Sequence, residues 1–109
     1  MSILGTYIAV LITTPSREVS ERIAKGIVEK RLGVCVNILP GIKSIYWWKQ
    51  KVEKGDEELL IIKTRLDKFQ DLTALVRKLH PYTVPEIIAL PIIVGNNDYL
   101  KWIDDNLEK

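Results

Sequence analysis

Apolar residues along the chain follow two different periodicities. Gly5 to Thr13 and Glu58 to Thr64 are nearly continuous apolar runs, which is typical of strands buried on both faces. Between them, Val19, Ile23 and Ile27 recur every four residues and indicate one face of a helix. The two runs therefore predict the central strands of a sheet, and the spaced residues predict a helix packed against it.

Polar residues and glycine predict where the first helix begins and ends. Thr14 followed by Pro15 is the usual pattern of an N-cap and a first helical residue. The apolar stripe ends near Arg31, and Gly33 just beyond it is a typical helix stop.

Two more helices follow, with a last strand between them. Asp67 and Gln70 form a variant of the capping box at the start of the second helix. Ile87 to Val94 predicts the last strand, and Pro91 places it at an edge because proline cannot donate to a ladder. Asn97 is the predicted cap of a short final helix.

The segment Val34 to Thr64 predicts one long hairpin. Pro40 and Gly41 interrupt its first arm, but strand character resumes at once, so they predict a bulge in an edge strand and not a chain reversal. The reversal is predicted near Lys49–Lys51, where a tight turn would strain Gln50 unless the loop is wider.

Trp47 and Trp48, near the tip of the hairpin, are expected to point to opposite faces because successive side chains alternate along a strand. They cannot both enter one core. One of them is expected to cover a second surface, which is a partner chain, a ligand or a neighbouring hairpin. The first arm also exceeds the usual strand length of about 3–10 residues. We therefore predict that the chain associates with other copies.

The predicted element order β-α-β-β-α-β, followed by a terminal helix, is that of the ferredoxin-like α+β fold. Right-handed crossovers place the first and third strands in the middle of the sheet. A chain of 109 residues predicts a single domain, residues 1–109.

Composition narrows the function classes. Hydrophobic residues make up 47% and charged residues 28%, which is typical of a globular chain. The net charge of +2 is dispersed, so no nucleic-acid footprint is predicted. The apolar run Tyr7 to Ile12 is too short to span a bilayer and lacks the pattern of a signal peptide, so no membrane role is expected. One cysteine excludes an internal disulfide and favours a cytoplasmic location.

Glu86 is the only Asp, Glu, Lys or Arg between Lys78 and Asp98. A lone carboxylate in an apolar segment stiffened by proline is a candidate site residue. The alternatives are a structural ion pair, for example with Lys63, or a hydrogen bond to turn amides. No residue spacing typical of a catalytic centre is present, so the chain is not predicted to be an enzyme.

His80, the only histidine, is a candidate base or metal ligand, although a helix-terminal histidine bonded to a carbonyl is the preferred interpretation. Tyr82, between two prolines, either forms the wall of a pocket or simply packs. Cys35 is predicted to be a small buried hydrophobe, while Asn37 on the same strand face is expected to bind a ligand or a neighbouring strand. The acidic residues of Glu53 to Glu58 are predicted to form a solvated face or, at most, a weak cation-binding patch.

Four segments spread over essentially the whole chain form a specific combination: Arg31–Gly41, Ser44–Trp48, Leu79–Pro91 and Asp98–Trp102. Together they resemble the CutA family, the divalent-cation tolerance proteins. The resemblance implies a ferredoxin-like subunit similar to PII signalling proteins, assembled as a homotrimer in which the long hairpin arms meet between subunits. It also implies a role in metal tolerance, from which the family takes its name, and some members of the family bind copper.

The sequence differs from the copper-associated pattern of that family at two positions. Some such members carry a cysteine where Ile12 stands here, and some carry a histidine where Leu79 stands here. Both differences remove good metal ligands, so only weak binding of copper or another divalent cation is expected, with His80 as the candidate ligand. The family's usual glycine in the hairpin turn is replaced by Gln50, which affects turn geometry only.

Placement at strand ends and the resemblance together predict a cleft between subunits that binds a divalent cation or a small anion. Its predicted residues are Asn37, Trp48, Lys63, His80, Tyr82 and Glu86. The alternatives are a PII-like small-molecule signalling trimer, a scaffolding trimer, or an enzyme that uses Glu86 and His80 as acid–base groups.

Overall fold

The computed structural model describes residues 7–108 and contains the predicted elements in the predicted order. The elements are β1 (Tyr7–Thr14), α1 (Arg17–Glu29), β2 (Cys35–Trp48), β3 (Lys51–Arg65), a 3₁₀ turn (Leu66–Lys68), α2 (Phe69–Leu79), β4 (Ile87–Pro91) and α3 (Asn97–Leu107). Gly5 and Thr6, with which the first strand was predicted to begin, lie outside the described residues.

The four strands form one antiparallel sheet in the order β2-β3-β1-β4. The predicted α+β fold is confirmed, with β1 and β3 in the middle. Pro40 and Pro91 lie on the two edge strands, as expected for residues that cannot donate to a ladder.

One face of the sheet is covered by α1 and α2. The core between them consists of Ile8, Val10, Ile12, Val19, Ile23, Ile27, Leu60, Ile62, Leu72 and Val76. Burial of each such side chain is worth about 1.5–3 kcal/mol, so this layer holds the helices on the sheet. The even-numbered residues of β1 supply one row of it.

The other face, called the open face below, is formed in β1 and β3 by odd-numbered residues such as Thr13 and Glu57. α3 covers only one end of this face. There Asp104 of α3 accepts a hydrogen bond from the Tyr7 hydroxyl at 2.7 Å and binds Arg65 at 3.0 Å. The opposite end of the open face, towards the hairpin, has no helix over it among residues 7–108.

The first helix begins two residues later than predicted. Its N-cap is Ser16, whose hydroxyl accepts a hydrogen bond from the backbone N–H of Val19 at 3.3 Å. Thr14 belongs to β1, and its buried hydroxyl shares a hydrogen bond with Ser20. Because that tertiary bond engages Thr14, the cap falls on the next hydroxyl along the chain.

The predicted stop at Gly33 is also wrong. α1 ends at Glu29, and Arg31 takes the left-handed conformation with φ of 57°. Gly33 serves packing: a Cβ added there would lie 2.6 Å from Cγ2 of Ile62, which is a severe clash.

The predicted capping box of α2 does not form. The carboxylate of Asp67 accepts from Nε of Arg65 at 2.9 Å, and α2 begins at Phe69 after the 3₁₀ turn. The charged hydrogen bond to arginine is the stronger alternative for this carboxylate.

The last two boundaries differ slightly from the predicted ones. Asn96, and not Asn97, caps α3 by accepting from the N–H of Asp98 at 2.9 Å. β4 ends at Pro91 and does not continue to Val94.

The bulge predicted in β2 is present. Its register against β3 shifts between Leu39 and Ile42, so that Pro40 and Gly41 together oppose one residue of β3. Gly41 has φ of 76°, a conformation that glycine adopts readily and other residues rarely do.

This bulge changes which side chains of β2 share a face. Strict alternation from Asn37 on the open face would place Trp48 on the helix side. The extra residue places Trp48 on the open face instead, paired with Lys51. Trp47 points to the other side, so the prediction that the two tryptophans face opposite directions is confirmed.

A tight two-residue turn joins β2 to β3. Both of its residues have left-handed backbones, with φ of 50° at Lys49 and 67° at Gln50. Of the two alternatives left open by the sequence, the strained tight turn is the one observed.

We expect Gln50→Gly to raise the free energy of unfolding by about 0.5–1 kcal/mol. Glycine adopts the left-handed conformation without steric strain, and this gain exceeds the extra backbone entropy that glycine loses on folding. Gln50→Ala is the matched control, since it keeps the Cβ atom and should bring no gain. Urea unfolding at one fixed protein concentration measures both. Equal midpoints for the two variants would contradict the strain at this residue.

Candidate functional site

A cavity of about 650 Å³ lies on the uncovered end of the open face, beside the hairpin arm. Two carboxylates line it, those of Glu57 and Glu86. Three aromatic rings line it as well, from Tyr46, Trp48 and Tyr82. Pockets of about 300–1,000 Å³ with apolar walls and few polar groups are typical of small-molecule sites.

Three separate parts of the chain position these side chains. β3 carries Glu57, and β2 carries Tyr46 and Trp48, which face the cavity only because of the bulge. The connection from α2 to β4 carries Tyr82 and Glu86, and its two prolines restrict the backbone.

Glu57 is the residue that the sequence missed, because it was assigned to a solvated acidic face. It is only 9% exposed, and its Oε2 accepts a hydrogen bond from the Tyr82 hydroxyl at 2.7 Å. Burial, and next the hydrogen bond to Glu57, raise the pKa of Tyr82 above its ordinary value. The available signal was the strand register, since counting back from the core residue Leu60 places Glu57 on the open face.

His80 is buried at 6% exposure just after α2. Its Nδ1 accepts a hydrogen bond from the backbone N–H of Tyr82 at 3.1 Å, so the ring proton is on Nε2, which donates to the carbonyl of Thr13 at 2.8 Å. The ring also lies 4.7 Å from that of Tyr82. His80 therefore ties the Tyr82 loop to β1, and it does not line the cavity itself.

The predicted residues Asn37 and Lys63 lie elsewhere on the open face. Nζ of Lys63 donates to Oδ1 of Asn37, and neither residue lines the cavity. Lys63 is six residues beyond Glu57 along β3, which at strand rise is about 20 Å. Within one chain, the cavity thus gathers Trp48, Tyr82 and Glu86 of the six predicted residues.

Metal ligands are not grouped in the part of the chain that the structure describes: no three His, Cys, Asp or Glu side chains there are placed to hold one ion. Both ring nitrogens of His80 are already hydrogen-bonded. Cys35 is partly exposed, contrary to the prediction that it is buried, and its thiol donates weakly to Oδ1 of Asn37 at 3.9 Å. The residues of one chain do not fit a resident copper site, which favours nitrogen and sulfur donors.

Comparison with known proteins identifies the family. The family described as CutA1 divalent ion tolerance protein matches residues 8–106. The chain belongs to this family. The family is named for tolerance and not for a catalytic activity.

Relatives of the CutA1 family agree over nearly the whole chain. The divalent-cation tolerance protein CutA of Thermus thermophilus is 55% identical over 97 residues, which are 89% of this chain and 94% of the relative. Protein CutA of Homo sapiens is 48% identical over 99 residues, 91% of this chain, and the chain spans only 55% of its length.

Solved CutA structures share the fold. The structure of the divalent cation tolerance protein (Cut A1) from Thermus thermophilus superposes with a TM-score of 0.90 at 53% identity, covering 92% of this chain and 97% of that one. The protein described as periplasmic CutA of Archaeoglobus fulgidus gives 0.90 at 46% identity, covering 93% and 98%.

Names within the CutA1 family refer to different compartments, since relatives in Oryza sativa and Arabidopsis thaliana are called chloroplastic and the Archaeoglobus fulgidus structure is called periplasmic. None of the helices described within residues 7–108 has the length and hydrophobicity needed to cross a membrane.

We expect Tyr82→Phe to lower the free energy of unfolding by about 1–3 kcal/mol, because it leaves the buried Glu57 carboxylate without its hydroxyl donor. Tyr46→Phe is the matched control. It removes a hydroxyl from the same cavity, and that hydroxyl donates no hydrogen bond to the described residues. Denaturant unfolding compares the two. A cost equal to that of Tyr46→Phe would show that the Glu57 hydrogen bond adds nothing.

The same hydrogen bond should depend on pH. Because the pKa of Tyr82 is raised in the folded protein, its contribution is complete below the unfolded-state pKa of about 10 and is lost as the pH rises towards the folded-state value. The stability difference between wild type and Tyr82→Phe should therefore be constant from neutral pH to about pH 9 and shrink above pH 10.

Proposed function

We propose that the chain is a homotrimeric divalent-cation tolerance protein whose cavity is a ligand-binding site completed by a neighbouring subunit. The observation that carries this proposal is the position of the cavity: it lies on a sheet face that the chain's own helices leave uncovered. A second subunit placed on this face would supply the missing wall.

The open face exposes apolar side chains on both edge strands. On β4, Ile88 is 48% and Leu90 is 50% exposed, and Leu39 is exposed on β2 at the opposite edge. Exposed apolar side chains of this kind favour interaction with another surface. Both sheet edges, β2 and β4, are also unpaired within the described residues, and exposed edges favour pairing with another chain.

The hairpin arm supports the same proposal from its other side. Trp47 is 74% exposed, and Ile45 and Val52 beside it are exposed as well. The arm extends the chain to 45 Å in its longest dimension, against 25 and 23 Å in the other two. The exposed side chains of this arm would be buried by other copies of the chain, in keeping with the trimer that the family resemblance implies.

The cation role is proposed from the family name and from the two cavity carboxylates. Glu57 and Glu86 are oxygen donors, which suit hard divalent cations at modest affinity. Copper tolerance and a cytoplasmic location belong to the proposal too, the first from the resemblance and the second from the single cysteine alone.

The size of the cavity favours one alternative, a PII-like trimer that responds to a small molecule. An enzyme using Glu86 and His80 is less well supported, because both nitrogens of His80 are engaged in hydrogen bonds inside the fold.

We expect light scattering behind size exclusion to give three chain masses at micromolar protein. Leu90→Glu should lower the mass, because it places a charge in the proposed interface. Val28→Glu is the matched control: Val28 is 42% exposed on α1, away from the open face, and its variant should stay trimeric. A monomeric wild type, or equal effects of both variants, would contradict the interface.

Copper(II) and zinc(II) titration calorimetry should give weak affinities, with copper bound more tightly than zinc. His80→Gln, which can keep a donor to the Thr13 carbonyl, should leave these affinities unchanged. Nanomolar copper binding that disappears in His80→Gln would show that the histidine is a ligand and that tolerance acts through direct sequestration.

A further inference from the structure

The lining of the cavity carries a net negative charge. Its carboxylates, from Glu57 and Glu86, are not balanced by any Lys, Arg or His among the lining residues. An anion would therefore meet two like charges at short range, which is unfavourable in a partly enclosed site. The cavity is suited to a positively charged ligand.

Glu57 indicates the same ligand charge independently. The residue is only 9% exposed, and it forms no salt bridge with any described residue. Oε2 is occupied by the Tyr82 hydroxyl, while Oε1 has no hydrogen-bond partner within residues 7–108. Among the described residues only Oγ1 of Thr73 is a buried polar side-chain atom without a partner, so Oε1 of Glu57 is reached from the cavity and is free to accept a charged hydrogen bond from a cationic ligand.

The aromatic walls distinguish between kinds of cation. A bare metal ion needs several donor atoms converging at about 2.0–2.6 Å, and no group of three metal-ligating side chains occurs in the described chain. Trp48, Tyr46 and Tyr82 instead present ring surface around a space of about 650 Å³. Aromatic faces attract organic cations and bury their apolar parts.

We propose that this cavity binds an organic cation, a protonated amine carried on an apolar or aromatic body. The ammonium group is bound by the free oxygen of Glu57 and by Glu86, and the body packs against Trp48. This inference rests on the proposed function only in taking the cavity as the ligand site. It names an organic cation in place of the divalent cation or small anion expected from the sequence.

Three probes that share one ring and differ in charge test the proposal on the assembled wild-type protein: phenethylammonium, phenethyl alcohol and phenylacetate. Titration calorimetry should detect binding of the ammonium probe alone. Tryptophan fluorescence should change on binding and lose that response in Trp48→Phe.

Glu57→Gln and Glu86→Gln should each weaken phenethylammonium binding at least tenfold, because each removes one charged hydrogen-bond acceptor. Asp56→Asn is the matched control: Asp56 is the exposed neighbour of Glu57 and faces the other side of the sheet, paired with Lys43. Its variant should bind as the wild type does. Glu86 is exposed, so its variant keeps the test valid if Glu57→Gln fails to fold.

Equal binding of the alcohol, absence of binding, or binding unchanged in both Gln variants would overturn the proposal. If the wild type binds no probe and Glu57→Gln also forms weaker trimers, the proposal is wrong. The cavity is then occupied by a lysine of a neighbouring subunit. A trimer that binds no amine contradicts only the organic cation, whereas a monomer that binds the amine contradicts only the proposed assembly.

Discussion

The alternation of side chains across the sheet, broken once at Pro40 and Gly41, determines which residues meet at the candidate site. β3 keeps strict alternation, so Leu60 enters the core and Glu57 faces the other way. β2 would otherwise turn Trp48 towards the helix side. One extra residue, made possible by the positive φ of Gly41, reverses this and brings a tryptophan ring to the face that carries the buried carboxylate.

The two ends of the open face have different environments. At one end α3 covers the sheet, and Arg65 forms ion pairs with Asp67, Asp104 and Glu108. At the other end no described helix covers the sheet, and the carboxylate of Glu57 has a phenol as partner in place of a guanidinium. At the α3 end each of these three carboxylates thus contacts a guanidinium, whereas no cationic side chain lines the cavity. This difference separates a structural charge network from a candidate binding site.

Local patterns predicted the fold well because they are set by neighbours in sequence. The order of elements, the edge positions of Pro40 and Pro91 and the bulge followed from periodicity and from proline's missing donor. The failures involve side-chain contacts that periodicity does not encode. Ser20 engages the hydroxyl of Thr14, and Tyr82, 25 residues away, donates a hydrogen bond to Glu57.

Placement at strand ends also did not indicate which charged residues meet within one chain. Lys63 and Glu86 were grouped because each lies near the end of a strand, but the ends differ. β3 and β4 both run antiparallel to β1, so they are parallel to each other, and Lys63 is level with Leu90 through Ala9. Glu86 precedes β4 and lies towards its other end. Sheet topology, which periodicity does not encode, therefore decides which charged residues of one chain can act on one ligand, and within a chain it places Glu86 with Glu57 and away from Lys63.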